Sequence, residues 1–256
     1  MLRDLLLAGR RLAKNPWFLA AVIAILGLAI GANTAVFSVA DAVLLRPSPY
    51  RDAGRLVTIE QTTPKWVMSI ITANDYLSWA DRKDIFEQTV PHRHDIVTMT
   101  NAGDPDQVFV VRTSAQLFPL LGVRAKLGRA LLDSDDAPNG PNSAVISDRL
   151  WRRKFDADPA VIGRTVQLSD EAFTIVGVMA PEFEFPYPQE EMWVPLRLHP
   201  GGAGALQVIA RLRAGVTPEQ AQNAMQAEAR ELERRDPQAK AGLRIVVSRW
   251  KEELGD

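Results

Sequence analysis

The sequence predicts an α+β protein: one N-terminal transmembrane helix, then a split α/β domain outside the membrane with a small β-rich subdomain inserted into it. Three observations carry this. No charged residue lies from Asn15 to Ala40; as a helix rising about 1.5 Å per residue, that run reaches roughly 39 Å, against about 30 Å of bilayer hydrocarbon. Within residues 206–248 an alternating strand, a capped helix and a second strand follow one another. Between residues 127 and 186 the texture changes to short elements divided by Gly, Pro and Asp.

At the N-terminus, residues 1–16 set Leu2, Leu5, Leu6 and Ala13 against Arg3, Arg10, Arg11 and Lys14, the pattern of an amphipathic helix lying on the cytoplasmic membrane surface. Pro16 suits the first turn of the following helix and would spoil its interior, so the span is read over residues 17–45. The basic excess before it puts Met1 in the cytoplasm and everything after about residue 45 outside. A cleaved signal peptide is the alternative, because Ser38-Val39-Ala40 has a small-x-small pattern. The apolar core is longer than the roughly 7–15 residues of such a peptide, which favours a retained anchor.

Inside the span, Gly27 and Gly31 stand one turn apart on one face. Such a pair lets a second helix approach closely. Asn33 and Thr34 add polar side chains that prefer a protein partner to lipid at membrane depth. After the span comes Arg46-Pro47-Ser48-Pro49-Tyr50, where Pro47 and Pro49 each hold the preceding residue extended and make a stiff linker.

Residues 56–61 alternate as a strand. Thr72 caps a helix over residues 73–79, with Asp75 near its positive end and Tyr76, Trp79 and Ala80 on its apolar face. Strands are expected at 96–100 and 108–113 around a turn at 101–106, then a short helix at 114–121 stopped by Gly122. In the insert, residues 142–147 form a buried strand leading into a helix over 148–155. Residues 161–168 and 173–179 form a hairpin through Ser169-Asp170-Glu171. Residues 206–213 are the next strand. Thr217-Pro218-Glu219-Gln220 is a capping box with proline at the first helical position. That helix runs to about Arg235, with Ala221, Ala224, Met225 and Leu232 inward, and residues 243–248 close a split strand–helix–strand unit. The larger α/β part is thus 46–126 together with 187–256, and the insert is 127–186.

A charged share of 24% and a hydrophobic share of 46% are those of an ordinary globular chain. The net charge of −1 gives no pull toward nucleic acid. With Cys 0 there is no disulfide, thiolate site or cysteine nucleophile. No G-x-x-x-x-G-K-[ST] phosphate loop is present, so ATP hydrolysis must come from elsewhere. His92 and His94 would share one face of a strand, but no third ligand stands beside them, and a solvated loop is the simpler expectation. The acid runs Asp133-Ser134-Asp135-Asp136 and Glu190-Glu191 read as solvated turns. Ser143 and Ser147 lack a nucleophile elbow. Neither an enzyme nor a cofactor site is expected.

Several stretches resemble one known family. They are Asn15-Pro16-Trp17-Phe18, then residues 28–39 (LAIGANTAVFSV), Leu44-Leu45-Arg46-Pro47, Trp151-Arg152-Arg153-Lys154-Phe155, Ile162-Gly163-Arg164-Thr165, Phe173-Thr174-Ile175-Val176-Gly177-Val178, Phe183-Glu184-Phe185-Pro186, and Arg211-Leu212-Arg213-Ala214-Gly215-Val216-Thr217. In order and spacing they are similar to the MacB-like periplasmic core domain of FtsX-type ABC transporter permeases. Ser48 departs from the apolar residue usual between the prolines. The resemblance implies a bacterial inner-membrane location, a porter-like larger part, and three further spans after the outer domain. It also implies work as a homodimer or pseudo-dimer with a separate cytoplasmic ABC ATPase, and a periplasmic adaptor or substrate outside. The chain stops at Asp256, where a second span is expected, so it reads either as a fragment of such a permease or as an orphan carrying only its first part. A stand-alone membrane-anchored binding or sensor domain is the alternative.

Overall fold

The computed structural model describes residues 16–40, 49–65, 70–202 and 204–250. The chain divides into two units, Met1–Ser48 and Pro49–Asp256.

In the first unit, α1 (Pro16–Ala40) is a 25-residue helix without a charge in its first or last turn. Gly27, Gly31, Asn33 and Thr34 are all exposed on it. Thr34 donates its hydroxyl to the Ile30 carbonyl at 2.8 Å, which satisfies that polar group within the helix. A Cβ placed on Gly27 or Gly31 would meet nothing within 4 Å. Several side chains of α1 lie outside the described residues. On the described residues alone, no helix is long and apolar enough to cross a membrane. The surface helix expected at residues 1–16, the extension of the span past Ala40 and the linker residue Pro47 fall outside the described residues.

The second unit contains β1 (Leu56–Thr62), α2 (Ala73–Trp79), β2 (Phe86–Thr100), β3 (Asp106–Thr113), α3 (Leu117–Leu121) and β4 (Ala125–Gly128). There follow α4 (Asp133–Asp136), β5 (Ser143–Ile146), α5 (Asp148–Phe155), β6 (Thr165–Leu168), β7 (Glu171–Met179), β8 (Met192–Pro195), β9 (Gln207–Leu212), α6 (Pro218–Arg235) and β10 (Arg244–Arg249). All strands join one mixed sheet in the order β10-β1-β9-β2-β3-β8-β5-β7-β4, with β6 bridging β2 and β7.

Pairing splits this sheet into two halves that share β2. In the order β10-β1-β9-β2 every neighbour is antiparallel. Hence β1 and β2 run parallel with β9 between them, and β9 and β10 run parallel with β1 between them. This is two interlocked split βαβ units, the ferredoxin-like arrangement, with α2 and α6 as crossovers. Their apolar faces cover one side of the sheet, where Val57, Ile59, Trp79, Val208, Ala210, Met225 and Ile245 form one core. Local chemistry fixes both helices: Thr72 accepts from Asp75 N at 3.2 Å, and Thr217 and Gln220 form the reciprocal capping box.

In the other half the pairings run β2–β3, β3–β8, β8–β5, β5–β7, β7–β6 and back from β6 to β2. The closure is short, Met99↔Leu168 and Thr100↔Gln167, but it turns six strands into a ring. Closing a sheet on itself removes exposed edges and puts alternate side chains inside. Met99, Val108, Val110, Ile146, Val166, Phe173, Ile175 and Met192 belong to that core. The strands of 127–186 therefore extend the sheet begun by β2 and β3. β2 starts at Phe86 and runs for 15 residues, far ahead of the expected start at 96. Its length is what lets one strand serve both halves.

Candidate functional site

The side of β1, β9 and β2 turned away from α2 and α6 is only partly covered. Alternation places Leu56, Thr58 and Glu60, then Gln207, Ile209 and Arg211, then Val90, His92 and His94 on it. Register aligns them: Thr58 and Val90 both oppose Ile209, and His92 opposes Gln207. Phe183 and Phe185 fold over this face. Trp193 donates its indole N–H to the Phe185 carbonyl at 3.1 Å. The Phe185 ring lies 5.2 Å from His92 and stacks at 5.2 Å on Trp250. The Phe183-Glu184-Phe185-Pro186 stretch picked out from the sequence is thus a cover over the sheet. Beside it remains a cavity of about 260 Å³ whose wall includes Thr58, Glu60, His92, Tyr187, Gln207 and Trp250.

The two histidines stand on this strand face, contrary to the solvated loop the sequence suggested. His92 is 2% exposed, and its Nδ1 has no hydrogen-bond partner among the described residues. Burial, with the neighbouring His94 charge, pushes its pKa down to about 3, so it is neutral. His94 sits 5.6 Å from His92, ring to ring, with Nδ1 2.8 Å from Glu190 Oε1 and Nε2 2.7 Å from Gln207 Oε1. Burial opposes protonation of His94, but the Glu190 carboxylate outweighs it and the pKa lies above the ordinary histidine value. An imidazolium with both N–H groups donating satisfies both oxygens. Among the described residues no group of three or more His, Asp or Glu is arranged to hold a metal.

The acid runs are likewise not solvated turns. Glu190 and Glu191 are each 5% exposed. Glu190 pairs with His94, and Glu191 accepts from Arg153 Nη2 at 2.7 Å. Asp135 is buried and accepts from Arg129 at 2.6 and 3.1 Å, from Leu132 N at 2.8 Å and from Ser143 Oγ at 2.8 Å. Asp136 accepts from Arg197 N at 2.7 Å. Each carboxylate meets a partner brought in by the fold, and pairing is what makes a buried charge tolerable. Arg211 follows the same rule. It lies fully buried opposite Leu56 and Gln88 and donates to the carbonyls of Asp52, at 3.1 Å, and Leu120.

Glu60 differs. It lines the cavity, is partly exposed, and has no ion pair or hydrogen bond among the described residues. A sequence reader had one signal for this cluster: the alternation Val90, His92, His94, Ile96, which fits a strand. Of the residues singled out from the sequence, Gly27, Gly31, Asn33 and Thr34 belong to α1, and Pro49 opens the second unit.

No curated protein matches the chain. Three solved structures are similar in fold. The periplasmic region of MacB from Actinobacillus actinomycetemcomitans has 14% identity and a TM-score of 0.60, covering 83% of this chain and 95% of that one. A domain of a permease protein from Porphyromonas gingivalis has 18% identity and a TM-score of 0.58, covering 78% and 92%. The extracellular domain of the noncanonic ABC-type transporter YknZ from Gram-positive bacteria has 14% identity and a TM-score of 0.56, covering 75% and 99%. The family described as MacB-like periplasmic core domain matches residues 19–228. With the split βαβ sheet and the ring joined to it, that match identifies the chain: it belongs to the MacB-like periplasmic core domains, the extracytoplasmic part of MacB/FtsX-like ABC transporter permeases.

Proposed function

We propose that α1 anchors this domain in the bacterial inner membrane with its N-terminus in the cytoplasm, and that the domain passes motion driven by a cytoplasmic ABC ATPase to a periplasmic adaptor or substrate. The observation that carries this is the family match over residues 19–228, which takes in most of α1 together with most of the folded unit. The uncharged run and the basic excess before it support the span and its direction. Gly27 and Gly31 offer a side on which an added Cβ meets nothing; with Asn33 and Thr34 this is the surface for a second permease helix. Pro47 and Pro49 stiffen the link to the domain. ATP hydrolysis is assigned to a separate cytoplasmic subunit. Within the domain, 127–186 is the inserted subdomain and moves against the porter-like part, 46–126 with 187–256.

The absence of cysteine from the sequence gives a clean test. In intact cells a membrane-impermeant maleimide labels Ala102→Cys directly and Ala13→Cys only after lysis. The reverse pattern overturns the topology. Gly31→Cys forms a disulfide between copies if that face is the contact.

A stand-alone anchored binding domain is the second reading, favoured by the cavity beside His92. It predicts a function that survives loss of any ATPase.

A further inference from the structure

The cavity beside His92 has features that neither the family nor force transmission requires. In this unit buried or half-buried carboxylates have partners: Asp95 with Arg112, Asp135 with Arg129, Asp148 with Lys126 and Arg152, Glu190 with His94, Glu191 with Arg153. Glu60 has none among the described residues, and it lines the cavity. On the same wall His92, 2% exposed, leaves Nδ1 without a partner among the described residues. Leaving such a buried polar atom unsatisfied is costly, and a bound hydrogen-bonding group recovers that cost. Thr58 and the Gln207 carbonyl add oxygen acceptors, Tyr187 and Trp250 add aromatic rings, and among the described residues no Lys or Arg lines the space.

We propose that this cavity binds a small organic cation, a primary ammonium group carried on a short apolar stem. An anion would face the Glu60 carboxylate, whereas an ammonium has three N–H donors to place on acceptors. Its charge is also attracted to the faces of Tyr187 and Trp250. At about 260 Å³ the space is below the roughly 300–1,000 Å³ of drug-sized ligand sites, which limits the ligand to a single amine with a small ring or short chain. The ammonium is supplied either by a free amine or by a lysine side chain presented by a peptide. The proposal stands apart from the permease reading and survives if that reading fails.

The test is calorimetric titration of the full chain in detergent micelles with benzylamine, benzyl alcohol and benzoate. Benzylamine binds, benzyl alcohol at least tenfold more weakly, and benzoate not at all. Glu60→Gln weakens benzylamine about tenfold while leaving the thermal midpoint unchanged. Tyr187→Leu, at a position already 38% exposed, weakens it less and supplies a second variant should the first fail to fold. A free-amine site takes benzylamine and refuses Nα-acetyl-lysine amide; a lysine-reading site takes both. Equal binding of amine and alcohol, an unchanged affinity in Glu60→Gln, or no heat with any probe, as expected of a cavity that holds only water, overturns the proposal.

Discussion

The two halves that share β2 solve the same problem, burying an apolar sheet, in different ways. The half β10-β1-β9-β2 lays two helices on one side and leaves the other side to α3, the Phe183–Pro186 loop and a cavity. The ring β2-β3-β8-β5-β7-β6 closes the sheet on itself, and Leu150, Trp151 and Phe155 of α5 complete its core. The first is held by signals that act within a turn or two: caps at Thr72 and Thr217, and inward Ala221, Met225, Ala229 and Leu232 on α6. The second is held by closure and by charges buried at its rim, Asp135 on Arg129 and Ser143, and Glu191 on Arg153. A helix-backed sheet can leave one side free for binding, whereas a ring spends its inward face on itself.

The strongest way to break the comparison is to empty one core and watch the other. Phe173→Ala, at 1% exposure inside the ring, costs about 3–5 kcal/mol, and Met225→Ala under the helix-backed sheet about 2–5. Amide hydrogen exchange is expected to show β6 and β7 losing protection first in the former, and α6 with β10 in the latter. If every strand loses protection together in both, the halves are one cooperative unit.

Next in size is the rim charge. Burial alone would raise the pKa of Asp135, but Arg129, the Leu132 amide and the Ser143 hydroxyl together hold it below the ordinary aspartate value. A depressed carboxylate contributes stability above its unfolded pKa of about 3.9, and loses it as pH falls through the folded value. Asp135→Asn is therefore expected to cost about 2 kcal/mol at neutral pH and to flatten the loss of stability seen below about pH 4. An unchanged acid limb in urea melts would remove Asp135 from the account.

At the edge of the open half, a side chain of α6 takes up part of the free ladder of β10. Gln222 of α6 donates to the Ile245 carbonyl and accepts from Val247 N, both at 2.8 Å, as a neighbouring strand would. Gln222→Ala is expected to cost about 1 kcal/mol, to speed exchange of the Val247 amide, and to raise self-association in sedimentation by freeing the strand edge. Retained protection at Val247 would assign that pairing elsewhere. The smallest effect is local: Thr217→Ala removes a cap worth about 1 kcal/mol and frays the start of α6, read as a modest fall in the melting midpoint with the ring unaffected.

Most of the elements were legible because their causes are local. The helix at 148–155, the capping box at Thr217, the stop at Gly122 and the hairpin around Asp170 all depend on residues within a few positions of each other, and all stand where the sequence places them. The resemblance read from Trp151 to Phe155 and from Phe183 to Pro186 pointed to the family that residues 19–228 match. The start of β2 was missed because residues 86–95 carry charged and imidazole side chains on a strand whose burial alternates irregularly.

The sequence by itself determined where helices begin and end, which strands alternate, and that an uncharged run stands ahead of a folded domain. Those facts are written in spacings of two to four residues. Only the tertiary structure decided that His92 is buried and neutral, that Glu190 and Glu191 are paired, that Arg211 is buried against the carbonyls of Asp52 and Leu120, and that Glu60 stands beside a cavity without a partner among the described residues. His94 and Glu190 are 96 residues apart in the chain. A charge's environment depends on which distant partner the fold brings to it, and strand pairing between β2, β9 and the segment before β8 sets that partner.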